Sequence, residues 1–154
     1  MKRGRVRAAA ARARLARGTA AVLWLGAVAV YGAVEFRHIA FDSPLDVPPP
    51  ETEAARQFHQ SGENPYVGDA EAVAAGQKLF RQWCVSCHGI KATGGMGPSL
   101  VDEQAQYPRT RTQVGLFEAV FGGALGAMQP FGKRIPQDDI LKITAYIEQL
   151  RSRQ

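Results

Sequence analysis

Cysteine is nearly absent from this chain. Two such residues, Cys84 and Cys87, stand among 154, too few for the framework of a disulfide-rich secreted domain but enough for a dithiol pair or for two bonds to one shared group. Histidine and methionine are as scarce, at three residues each. No stretch alternates apolar and polar residues as a half-buried strand does, so strands are not expected. Acidic residues are missing from the first 34 positions. Seven basic residues, Lys2 to Arg17, precede the first acid, Glu35; beyond Arg17, twelve basic residues face fourteen acidic ones, a balance of −2 within an overall charge of +5. The basic character belongs to the leader, and nucleic acid is not an expected partner.

That leader, expected to occupy residues 1–36, reads MKRGRVRAAAARARLARG followed by TAAVLWLGAVAVYGAV, 16 residues without a charge. The order fits a signal peptide and equally a single transmembrane anchor with its positive side inside. At 1.5 Å per residue, 16 residues span roughly 24 Å against a hydrocarbon core of about 30 Å, so an anchor needs Arg17, Glu35 and Arg37 to snorkel. A small-x-small cleavage site stands at Ala27-Val28-Ala29. Both readings place the rest of the chain in the periplasm, either soluble after cleavage or tethered in association with the inner membrane.

Residues 37–69 hold five of the nine prolines and read as an extended arm or linker with at most a short helix around 51–58. From residue 70 to residue 154 the texture is that of one helical domain. Asp69 can cap AEAVAAGQKLFRQW, Thr112 can cap QVGLFEAVF before Gly122 and Gly123, and Pro136 opens QDDILKITAYIEQL with Asp138 and Asp139 in its first turn. Three helices joined by loops poor in apolar residues make an inadequate core for about 85 residues. Something else is expected to fill the centre.

The segment Cys84-Val85-Ser86-Cys87-His88 is the C-x-x-C-H pattern of covalent c-type haem attachment. Two thiols about one helical turn apart can form thioethers to two vinyl groups of one porphyrin, and the adjacent imidazole can reach its iron. A thioredoxin-like dithiol should follow a strand and open a helix, whereas this motif ends one. A zinc site would need further donors, with His38 and His59 far away in the arm. For the opposite face of the iron, Met96 lies eight residues beyond His88 and is poorly placed, while Met128 sits on a glycine-flanked loop able to wrap the far side. Leu79, Phe80, Leu100, Phe117, Phe121, Phe131, Ile140 and Ile143 are expected as the cavity wall. A backbone carbonyl near Pro98 should accept the His88 Nδ1 proton, and Arg109, Arg111, Lys133 and Arg134 are candidates to neutralise haem propionates.

From residue 70 to 150 the chain resembles the class I cytochromes c, through Gly76, Phe80, CVSCH, Gly97-Pro98-Ser99-Leu100, Met128 and Tyr146. The resemblance implies an all-α fold around one covalently attached haem c, following the N-terminal hydrophobic segment. It implies Gly76 and Phe80 meeting Tyr146 where the first helix crosses the last, the Pro98 carbonyl on His88, and Met128 as sixth ligand. The usual proline after the distal methionine is displaced by Gln129 to Pro130. YPRTRTQVGLFEAVFGGALGAMQPFG and GENPYVGD narrow the likeness to the cytochrome c-L type, the electron acceptors of periplasmic pyrroloquinoline quinone (PQQ) alcohol and methanol dehydrogenases. The function so implied is one-electron transport from such a dehydrogenase to a downstream cytochrome c or oxidase, with no enzymatic step of its own. The alternatives are a membrane-anchored cytochrome serving a respiratory or photosynthetic complex, a haem subunit fixed in one, and a five-coordinate haem with peroxidase or sensing activity.

Overall fold

The computed structural model describes residues 33–154. Almost all of the expected leader, with its cleavage motif, lies outside the described residues. Within them the chain forms helices and no strand, apart from one isolated bridge between Arg37 and Pro44. In order these are α1 (Glu53–Ser61), α2 (Ala70–Trp83), the single turn α3 (Val85–His88), α4 (Gln113–Gly122) and α5 (Gln137–Arg151), with a 3-10 turn at Pro108–Arg111 before α4. None of the described helices is long and apolar enough to cross a membrane.

Local chemistry sets the ends. The Asp69 carboxylate accepts from Ala72 N at 2.8 Å and Thr112 Oγ1 from Gly115 N at 3.0 Å, each satisfying an otherwise unpaired amide of a first turn. α4 stops where Gly123 takes a φ of +76°, a conformation that suits glycine.

The central crossing joins α2 and α5. A Cβ on Gly76 would fall 2.0 Å from the Lys142 carbonyl oxygen, so the approach of the two backbones depends on the missing side chain. One turn along, Phe80 and Tyr146 meet with ring centroids 5.5 Å apart, and Phe80, Ile140 and Ile143 are fully buried in that seam.

The stretch 37–69 holds α1 and two turns besides its irregular segments, and it lies on the domain instead of standing off as a linker. α1 is capped by Thr52 and ended by Gly62 in the left-handed conformation, which carries it three residues past the expected limit. Phe58 on α1 is fully buried, packing against Phe36 and Phe117 at 6.0 and 5.0 Å. Asn64, also buried, donates to Leu141 O and Thr144 Oγ1 on α5, and Thr52 Oγ1 donates to Asp138. Part of the core that the three later helices lack is therefore supplied by the segment before them.

Candidate functional site

Cys84 caps α2, donating its amide to Phe80 O at 2.8 Å, and the next four residues wind the turn that ends at His88. The chain then doubles back. Gly94 N donates to His88 O and Gly97 N to Cys87 O, at 3.0 and 2.8 Å. This brings the 94–98 segment under the imidazole, where a Cβ on Gly97 would sit 2.9 Å from the ring. His88 is buried, and its Nδ1 lies 2.8 Å from the Pro98 carbonyl oxygen. An acceptor at that place fixes the proton on Nδ1 and leaves Nε2 as a free donor atom for a metal.

Cys84, Cys87 and His88 open onto a cavity of about 520 Å³, and Met128 lines the same cavity from the loop between α4 and α5. That loop is pinned by Ala124 N donating to Met128 O and Phe131 N donating to Val120 O, each at 3.1 Å. Met96 also lines the cavity but is 79% exposed, and it directly precedes the glycine lying under His88. His88 and Met96 thus share one loop system; Met128 comes from another.

The wall differs from expectation. Leu100 and Phe131 line the cavity, joined by Trp83, Leu116, Val120, Ile135 and Ile147. Phe80, Ile140 and Ile143 fill the α2–α5 crossing instead, Leu79 packs on the core nearby, and Phe117 turns toward the arm with Phe121 stacked on it and lying against Gly132. α4 is apolar on all sides, so its sequence offered no period with which to orient it.

The basic residues also sort themselves. Arg109 is spent on Glu118, with bonds of 2.6 and 2.8 Å that raise the guanidinium pKa further, and Arg111 donates to Asp102 O at 2.7 Å. Lys133 does not line the cavity, whereas Arg134 does. Arg151, not anticipated, also lines it, but donates to Leu100 O and Thr110 O and pairs with Glu148.

These features fit a covalently held haem and fit the rival sites poorly. The Cys84 thiol is pushed up to about 12 by burial, with the neighbouring Cys87 adding to it, the opposite of the lowered value that marks a reactive dithiol. Among the described residues no group of three or more His, Cys, Asp or Glu gathers as a zinc site would require. What remains is an apolar hollow of the size of a cofactor pocket, with two thiols, one imidazole nitrogen and one thioether on its lining.

Comparison with known proteins agrees with this chemistry. Residues 71–147 match the family model described as cytochrome c oxidase, cbb3-type, subunit III. The chain is 38% identical over 122 residues to cytochrome c-L of Methylorubrum extorquens, covering 76% of this chain and 62% of that protein. It is 31% identical over 81 residues to the cbb3-type cytochrome c oxidase subunit CcoP of Rubrivivax gelatinosus, covering 51% of this chain and 26% of that one. Among solved structures, cytochrome cL from the marine methylotrophic bacterium Methylophaga aminisulfidivorans superposes with a TM-score of 0.72 at 38% identity, over 75% of this chain and 80% of that one.

Proposed function

Because the chain belongs to the class I c-type cytochromes, with one covalently bound haem c and cytochrome c-L among its relatives, we propose that it is a one-electron carrier of the periplasm. It takes electrons from a PQQ-dependent alcohol or methanol dehydrogenase and delivers them to a downstream cytochrome c or oxidase. Cys84 and Cys87 would hold the haem covalently, and His88 and Met128 would supply the two protein donors to its iron. The observation that carries the reading is their meeting on one apolar cavity from separate elements. The relatives support the partner class through cytochrome c-L and through a source described as methylotrophic.

The haem, when bound, supplies a centre that can gain and lose one electron. The protein's own part is to set how readily it does so. The Pro98 carbonyl holds the Nδ1 proton of His88, keeping the ring turned with Nε2 available. The Met128 thioether is a neutral, soft donor that favours the ferrous state, and an apolar wall that excludes water acts in the same direction. No substrate bond is made or broken.

A second reading has one observation in its favour: the family model and the Rubrivivax relative both name a subunit of a cbb3-type cytochrome c oxidase. In that case the domain would be a haem subunit fixed by its N-terminal segment, and it would co-purify with the complex instead of washing free.

Met128→Ala tests the ligand set. The weak thioether-to-iron charge-transfer band at the red end of the ferric spectrum should vanish, while Met96→Ala should retain it. Persistence of the band in Met128→Ala would refute the assignment.

A further inference from the structure

We propose that the domain sits directly on the periplasmic face of the inner membrane, with the turn from Arg37 to Pro44 as its foot and Phe41 inserted among the lipid headgroups. The proposal rests on retention of the leader as an anchor and deepens that reading by naming the face of the protein held to the bilayer.

The chain leaves no slack between anchor and domain. The uncharged stretch 19–34 ends at Val34, and Val34 N already donates to His59 O on α1 at 2.8 Å. Two residues on, Phe36 packs against Phe58, His59 and Phe117, and the next amide, that of Arg37, donates to the buried Glu118. The 16 uncharged residues span roughly 24 Å of a hydrocarbon core of about 30 Å. Paying out chain cannot make up the difference, because the residues that would supply it are fixed to the domain. The surface around Val34 is drawn down to the headgroups instead.

That surface carries a rigid apolar tip. Leu45 N donates to Phe36 O and His38 N to Ser43 O, at 2.9 and 2.7 Å, so the turn begins and ends beside the close of the uncharged stretch. Asp42 makes the reversal at a φ of +51°, a region that aspartate enters more readily than most residues. Arg37 clasps its side chain and its carbonyl, and the pairing leaves residues 37–44 without net charge. Beneath the turn Leu45 lies against α4, where a Cβ on Gly122 would fall 2.9 Å from it. This frame holds out Phe41, 65% exposed, with its ring tilted on His38 at 4.7 Å. An aromatic side chain already held in place loses little further freedom on entering an interface. The arm and the cavity meet different faces of α4, so a foot at this turn leaves the cavity side uncovered.

The test uses full-length holoprotein in vesicles of phosphatidylethanolamine and phosphatidylglycerol that contain a lipid with a diazirine at headgroup level. After illumination, trypsin separates the leader's uncharged stretch, in 18–37, from the turn, in 38–56, and from the haem motif with its exposed Ile90, in 82–91. Lipid adducts should appear on 18–37 and on 38–56. Phe41→Ser, with an unaltered haem spectrum, should lower those on 38–56 by about threefold or more, and Ile90→Ser should change neither. Adducts on 18–37 with none on 38–56 would overturn the seating and leave the anchor standing. A holoprotein whose chain begins after Ala27-Val28-Ala29 would remove the retained leader, and the proposal with it. Labelling of 38–56 that is no stronger than that of 82–91, or no weaker in Phe41→Ser, would overturn the role of the turn, as would a turn that takes no lipid and crosslinks only to another protein in native membranes.

Discussion

α4 presents two apolar faces, and they are covered in different ways. Positions 116, 119 and 120 line the cavity; positions 117 and 118 meet the arm, and 121 stacks on 117. At 3.6 residues per turn the centres of these two sets are separated by roughly 150° around the helix. On the arm side the chain supplies its own filling: Phe36 and Phe58 pack on Phe117, which stacks on Phe121 at 5.5 Å. The buried Glu118 carboxylate among them is satisfied by Arg109 and by the backbone N–H of Arg37. On the other side the same helix borders a hollow of about 520 Å³ with thiols and an imidazole on its lining. One helix thus separates a core completed by polypeptide from one that needs a prosthetic group. The difference lies in what covers each face and not in the apolar character of the helix.

The comparison breaks most completely if the cavity side is left without its group. Cys84→Ala with Cys87→Ala removes both of the proposed covalent holds. Without the group the cavity's apolar lining is left facing water, a loss expected to be comparable with the ~5–15 kcal/mol stability of a whole domain. The double variant should accumulate as an unfolded chain without Soret absorption, whereas a cooperative melt at the wild-type temperature would show that the cavity side supports itself. The arm side should fail by smaller steps. Phe58→Ala empties a fully buried site and should cost about 3–5 kcal/mol of unfolding free energy in a denaturant titration, with the haem spectrum unchanged. Arg109→Ala leaves Glu118, which is fully buried, without its cation. The expected loss is about 2–3 kcal/mol, less than the ~3–5 kcal/mol of a wholly buried pair, because Arg109 itself is 42% exposed and the pair is partly screened by water.

The same contrast explains what the sequence could and could not reveal. The three caps at Asp69, Thr112 and Pro136 were legible because a cap is written within four residues. The haem was legible because CVSCH gathers two thiols and an imidazole in five positions, and the choice between Met96 and Met128 for the far side belongs to the proposal. The arm was not legible: the bonds from Asn64 to Leu141 and Thr144 cross 77 and 80 residues, and prolines at 48, 49 and 50 signal an extended backbone whether it is docked or free. The wall was misassigned for a related reason. Phe117 and Phe121 are the bulkier residues of α4, but a helix apolar all round gives no moment to say which face sees the cavity. Leu116, Ala119 and Val120, smaller and just as apolar, carry no local sign of the role.

The smallest effect expected is one of pH, and it falls on the arm side. Burial alone would raise the Asp138 pKa, but hydrogen bonds from Lys142, Tyr66 and Thr52 outweigh it and hold the carboxyl below its ordinary value. Two of those donors, Thr52 and Tyr66, belong to the segment before α2, so the ionised carboxylate ties that segment to the first turn of α5. A carboxyl lowered in the folded state contributes stability that is present above its unfolded pKa of about 3.9 and is lost as pH falls through the folded value. Acidification below pH ~4 should therefore loosen amides around α1 before those flanking the haem motif, as read by hydrogen exchange at stepped pH. Asp138→Asn should make the arm weaker at neutral pH but flatten its response to acid. If the variant kept the wild-type acid response, the contact between arm and α5 would owe its pH dependence to some other group, and the docked arm would be held by its aromatic packing alone.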